Sequence, residues 1–194
     1  MGRYTDGDRR ALIGMCPCLG SAGSKLDLRS DPNSLYNCIG YAMGMMDVCV
    51  ALRHPQGLFW CWWPPTVPRT LNPQSLVAAF EYLGFEVCAD GKVEADYDKV
   101  ALYEKNGEWQ HAAIIEEDDL YHSKMGVWWD VVHRGGDLFH DDGYGDIYAY
   151  MRRPVADRWK TQARKPVVSY MRTPNHVFAV MKKGTVGYGY VQIA

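Results

Sequence analysis

The chain reads as an α+β protein: a Cys-bearing helix in the N-terminal half, packed on a mostly antiparallel β-sheet, then a short basic, β-rich C-terminal extension. Three observations predict this. Apolar residues recur at helical spacing over 37–83 and alternate over 85–152, and turn dipeptides of the hairpin kind punctuate the second stretch. Helices first and meandering strands second imply segregated layers rather than alternating βαβ units.

Taken in order, residues 1–33 are rich in Gly, Asp, Ser and Pro and read as an irregular leader with a short helix around 9–15. From Asn37 onward Ile39, Ala42, Met43, Met46, Cys49 and Val50 share a helical face. Gly40 and Gly44 would let another element approach that helix, and His54-Pro55 would end it. The aromatic block Phe59-Trp60-Cys61-Trp62-Trp63-Pro64-Pro65 is either a corner of the core or the wall of a groove. Asn72-Pro73 predicts a capped helix start; Leu76, Ala79, Phe80 and Leu83 form its apolar face, and Gly84 stops it. Strands follow over 85–88 and 99–105, and Asn106-Gly107 is a two-residue hairpin turn into 109–115. The acidic run 116–119 turns the chain into 120–125, with further strands at 128–133 and 145–152. Segments 167–168, 177–180 and 188–191, with turns at Pro174 and Gly184, form the appendage. The expected organisation is a leader (1–33), a main domain (34–153) and a basic extension (154–194).

Composition excludes several classes. A 47% hydrophobic fraction with seven Trp and thirteen Tyr rules out a disordered chain, and no apolar run is long enough to span a bilayer, so no membrane partner is expected. The first residues lack the basic-then-apolar layout of a secretory signal, which leads to an expected cytoplasmic location. Six irregularly scattered cysteines suit a reducing compartment; Cys16-Pro17-Cys18 is not a zinc-ribbon spacing. His133, His140, Asp141 and Asp142 are close enough in sequence to hold a divalent ion, but their loop reads as solvated, so no metal is expected. With no phosphate-cradling Gly loop, Ser elbow or dinucleotide fingerprint, no cofactor is expected either. The net charge of -2 hides a division: acids dominate 86–146, whereas Asp157 is the only acid after Arg152. The basic tail either folds back on the acidic body or meets a partner. Its strand-like alternation favours folding back, leaves a protein partner open, and does not suggest nucleic acid.

The chemistry-bearing residues are Cys38 and His111. Cys38 follows the cap-capable Asn37 at a helix start, where unpaired N–H groups favour a thiolate and a lowered pKa. His111 opens His111-Ala112-Ala113 on a later strand, and the neighbouring Gly40, Ala112 and Ala113 leave space around thiol and imidazole. A nucleophile on a helix start and an imidazole on a strand make the two-part constellation of cysteine hydrolases.

That order of parts resembles the papain-like cysteine hydrolase fold, particularly its compact NlpC-type branch. There a His opens a strand and a polar residue twelve positions later orients it; the count from His111 lands on Ser123. In place of that branch's Asp-Cys-Ser-Gly signature, Asn37-Cys38-Ile39-Gly40 stands here. The landmarks Tyr36-Asn37-Cys38-Ile39-Gly40-Tyr41-Ala42-Met43-Gly44, Trp62-Trp63-Pro64, His111-Ala112-Ala113 and Ser123-Lys124-Met125-Gly126 are also similar to a bacterial domain family that has them in this order, without an activity to carry over. The resemblance covers about residues 34–153. It implies Cys38 as nucleophile, His111 as base and then acid, and Ser123 or its neighbour His122 as the residue that fixes the ring. The oxyanion would be met by the Cys38 N–H, aided by Asn37 or Tyr36; Trp62, Trp63 and Tyr41 are groove candidates. The expected substrate contains a peptide, isopeptide or other amide bond. The rival expectation, from another class, is a noncatalytic binding or structural module on the same scaffold, part of a virion or other assembly.

Overall fold

Asn106 and Gly107 take φ of 57° and 79°, the mirror-image turn that matches the twist of a two-residue hairpin, and so fold β3 (Tyr97–Lys105) onto β4 (Glu108–Glu117). Around this hairpin the computed structural model, which describes residues 4–20, 26–52, 61–140, 143–166, 168–173 and 176–181, assembles an α+β fold. Asp118 and Asp119 turn β4 into β5 (Leu120–Lys124), with Asp119 again at positive φ, and β6 (Asp130–Arg134) follows. The chain then returns as β7 (Asp146–Pro154) on the far side of β3. Two very short strands, β1 (Asp27–Leu28) and β2 (Glu86–Cys88), close the edges. The order is β1-β6-β5-β4-β3-β7-β2, and every pairing is antiparallel.

Because successive strand residues face opposite ways, the central strands feed two cores. Val100, Leu102, Ala112 and Met151 pack on one face under α2 (Cys38–Ala42) and α3 (Pro73–Glu81). Ala101, Tyr103, Ala113, Ile115, Tyr121 and Val131 pack on the other, under α1 (Asp6–Met15) and the short 3-10 turns Pro17–Gly20 and Gly136–Phe139. The leader is therefore not irregular: Thr5 and Asp8 cap α1 reciprocally, and Leu12, Leu19, Leu26 and Leu28 cover a sheet face that would otherwise be wet.

The helix at Cys38 is much shorter than its apolar spacing predicts. Gly44 adopts φ 80°, the chain reverses, and the Asn37 amide clamps the returning segment: its nitrogen donates to the Val50 carbonyl at 2.8 Å, and its oxygen accepts the Val50 N–H at 3.1 Å. His54-Pro55, the expected stop, lies outside the described residues. At Gly40 the element that approaches the helix closely is the returning segment of this reversal. A Cβ there would lie 2.4 Å from the Val48 carbonyl oxygen and 3.1 Å from that of Met45, both backbone atoms. Gly40→Ala should lower the unfolding free energy read from denaturant titration by about 2–3 kcal/mol. Gly44→Ala, strained in φ but with open space around it, should cost about 1 kcal/mol. Equal effects would mean that the close approach at Gly40 is not tight.

The second helix, α3, has the expected ends. The Asn72 side chain accepts the Gln74 N–H at 2.9 Å, Pro73 begins the helix, and Gly84 follows it at φ 89°. Asn72→Ala should cost about 1 kcal/mol in the same assay; an unchanged midpoint would show that the cap is replaceable by water.

Beyond β7 lies a helix that apolar spacing does not announce, α4 (Trp159–Arg164). Polar contacts hold it: Thr161 donates to the Met43 carbonyl at 3.2 Å, and Arg164 donates to that of Tyr82. The basic side chains here fold back on acids of the same chain. Arg153 and Arg158 meet Asp98 at 2.8 and 2.5 Å, Lys165 meets Asp47 at 2.7 Å, and Arg152 pairs with Glu86 and Glu94. Strands β8 (Val168–Thr173) and β9 (His176–Met181) form a separate hairpin; Pro174, Gly184 and the expected strand at 188–191 lie outside the described residues.

Candidate functional site

Alternation along β4 decides where His111 points. Ala112 belongs to the core beneath α2, so His111 and Ala113 project to the opposite face. There the register of β4, β5 and β6 sets Ala113 against Ser123 and Ser123 against Val131, which brings His111 and His133 diagonally to either side of the Ser123 hydroxyl. His111 Nε2 lies 3.1 Å from Ser123 Oγ, which is 3.0 Å from His133 Nε2. A hydroxyl can donate one hydrogen bond while accepting another, so one serine serves both imidazoles.

All three side chains are fully buried in an aromatic cage. The Tyr144 ring lies parallel to His111 at 4.1 Å, Phe139 meets both imidazoles edge-on, Tyr121 stacks on His133, and Tyr103 flanks His111. Burial holds His111 well below the usual imidazole range, with the neighbouring His133 acting in the same direction. Burial also pushes His133 down to about 4, against the pull of the Arg134 and Gly135 backbone. At neutral pH both rings are uncharged. Among the described residues His111 Nδ1 has no hydrogen-bond partner.

Cys38 begins α2, and the Asn37 side chain accepts the Gly40 N–H at 3.1 Å. Its thiol faces the N–H groups of Cys38, Ile39 and Ala112 and the charge of Lys124, all of which favour the anion. Burial outweighs them and pushes its pKa up to about 11. The expectation of a lowered thiol pKa is thus reversed. A five-residue helix offers little dipole, Asn37 already satisfies one of its free donors, and the residue is only 8% exposed. The thiol reaches the backbone of Ala112, next to His111, but it lies beneath α2 whereas the imidazole projects from the opposite face of the sheet, so the two side chains expected to form a pair are not brought together.

The other candidates fall as follows. Ser123 contacts His111; His122, on the opposite face, instead sits with Nε2 2.6 Å from the Glu116 carboxylate. Asn37 is committed to the cap and to Val50. Tyr36 donates to Asp130 at 2.8 Å and stacks on the partly buried Tyr41. Trp62 and Trp63 are core residues rather than a groove wall: both are buried, Trp62 beside Tyr82 and Trp63 stacked on Trp109 at 5.8 Å. Phe59 and Trp60 lie outside the described residues. His133 joins the Ser123 chain, His140 pairs with Asp146, and Asp141 and Asp142 are not described. Among the described residues no cluster of His, Cys, Asp or Glu is placed to hold a metal, and no helix is long and apolar enough to cross a membrane.

Sequence reasoning missed His133 as a partner of Ser123, although it lies ten residues on, across the next hairpin. It also missed Tyr144 and the buried Lys124, neither of which carries a local signal. Tyr144 has a further role: with Leu12, Met15, Cys16, Met125 and Trp128 it borders a cavity of about 370 Å³. Its ring also stacks on His111.

No match to the chain was found among curated proteins or among solved structures. A family profile, however, covers residues 27–152, from the first edge strand almost to the end of β7 and well over half of the sequence. The chain belongs to the family described as Domain of unknown function (DUF7689).

Proposed function

We propose that the protein is a papain-like cysteine hydrolase acting on an amide or related acyl bond, with Cys38 as nucleophile and His111 as base. The observation that carries the reading is the Ser123–His111 hydrogen bond. It fixes the ring through Nε2 and leaves a buried Nδ1 unpartnered on the strand that the Cys38 thiol touches. In the reaction the Cys38 S–H proton passes to His111 Nδ1 and the sulfur adds to the acyl carbon. The leaving amine takes that proton, and water then hydrolyses the thioester and restores the thiol. The N–H groups of Cys38 and Ala112 suit the developing oxyanion. Reaction requires β4 to rearrange as well as the Tyr144 ring to leave His111, since the thiol lies beneath α2, the imidazole projects from the opposite face of the sheet, and both are covered in the described arrangement.

The test is a peptidyl electrophile that forms a covalent adduct with a nucleophilic thiol, followed by mass spectrometry. One adduct on Cys38, formed faster than iodoacetamide labels the same residue, supports the reading. Labelling confined to the half-exposed Cys18 and Cys88 refutes it.

Burial favours a second reading, a noncatalytic scaffold. A thiol with pKa raised to about 11 and an imidazole held neutral are what an inert core would contain. Under this reading the Ser123 chain serves only to fix the packing of β4, β5 and β6.

A further inference from the structure

We propose that Cys16 and Cys18 form a redox-active dithiol that reduces small aromatic disulfides admitted to the cavity beside Tyr144 and itself becomes an intrachain disulfide in the exchange. Cys16 belongs to the core on the far face of the sheet from Cys38, so the inference is independent of the hydrolase reading.

The two sulfurs, one residue apart in sequence, lie 2.8 Å from each other. That is inside the roughly 3.5–4.0 Å at which even the smaller carbon atoms rest against one another, and about 0.8 Å beyond a covalent S–S bond. The backbone holds them there. Cys16 ends α1, its N–H donating to the Leu12 carbonyl at 2.9 Å, and its own carbonyl accepts the Leu19 N–H at 3.0 Å. Pro17, between the two thiols, has a fixed φ. Leu12 and Leu19, both fully buried, tie the segment to the core. Joining the sulfurs therefore asks for little further ordering of the chain.

Exposure sets the order of events: Cys18 is half-exposed and meets the incoming disulfide, and the buried Cys16 resolves it. The Cys18 sulfur bonds to one sulfur of the substrate R–S–S–R, whose S–S bond breaks, and the thiol proton leaves with the first R–SH. The Cys16 sulfur then bonds to that of Cys18, the bond from Cys18 to the substrate sulfur breaks, and the second R–SH takes the Cys16 proton. The protein has lost two electrons and two protons, the substrate has gained them, and a small thiol reverses the exchange. The cavity selects the substrate. Its volume of about 370 Å³ is bordered by Cys16 itself, the thioethers of Met15 and Met125, and the rings of Trp128 and Tyr144, surfaces that suit an uncharged aromatic group. Cys49 and Cys61 approach just as closely, at 2.8 Å, but both are buried, which makes them the internal comparison.

The experiment mixes the reduced full chain with dipyridyl disulfide under native conditions, follows pyridinethione release by absorbance and weighs the tryptic peptides. Peptide 11–25, which carries both cysteines, should become lighter by two hydrogens and retain no pyridyl group. Cys88, whose sulfur instead donates to the Asp90 carbonyl, should keep its pyridyl group. Cys16→Ser should stop at the first step with the pyridyl group on Cys18. A pyridyl group retained on Cys18 in the unmodified chain, or oxidation of Cys49 with Cys61 ahead of this pair, overturns the proposal. Trp128→Ala should slow oxidation by dipyridyl disulfide about fivefold while leaving that by hydroxyethyl disulfide unchanged. Equal rates with and without the Trp128 ring would overturn the assignment of the cavity as the substrate site.

Discussion

Under the hydrolase reading, Cys38→Ala should lower hydrolysis of a nitrophenyl acyl ester by about 10⁴-fold or more, to the level that binding and oxyanion donors alone supply. It should leave stability within about 1 kcal/mol of the unmodified protein, because a buried neutral thiol behaves as a small hydrophobe and alanine is only slightly smaller. Separate losses are therefore expected: activity vanishes and the melting curve stays. On the same reading His111→Ala should cost a similar factor in rate, and the double variant little more than either, since a nucleophile and its base act as a unit. His111→Ala should also lower the melting temperature, because it empties a cage built from Tyr103, Phe139 and Tyr144. Single-turnover kinetics and thermal unfolding on the same samples check both. Undiminished hydrolysis by Cys38→Ala would end the enzyme reading.

Acid should unfold the protein earlier than its paired carboxylates would. A histidine whose folded pKa lies below its unfolded value contributes stability that is present above the unfolded value and is lost as pH falls toward the folded one. For His133 the window runs from 6.5 down to about 4, corresponding to about 3 kcal/mol, and the buried His111 adds to the loss over the same fall in pH. Asp98, lowered by its hydrogen bonds to Arg158 and Arg153 despite burial, and Glu94, lowered chiefly by Lys99, give up their contribution only in stronger acid. Urea unfolding at a series of pH values should therefore show most of the decline above pH 4, and His133→Phe should flatten it. A stability that is level between pH 6.5 and 4 would mean that these imidazoles are hydrated.

Local chemistry made much of the fold legible. Asn106-Gly107 announces its hairpin because few residues tolerate the required φ, Asn72-Pro73 announces α3, and the alternation over 97–154 follows from a sheet covered on both faces. The failures are tertiary. The spacing from Ile39 to Val50 is that of a helix, yet Gly44 reverses the chain and the same apolar residues reach the same core by another path. The leader looks polar until its four leucines are set against the uncovered face of the sheet. At the site, the contact between His111 and Ser123 was readable from a count across one hairpin. The extension to His133 needed the register of a second, and the raised thiol pKa depends on burial that no local pattern encodes.

Among the described residues strand β1 pairs only with β6, more than a hundred residues downstream. During synthesis the N-terminal leucines must wait on the ribosome until the sixth strand emerges, their side chains wet in the meantime. The sheet is sealed late, from its first-made end.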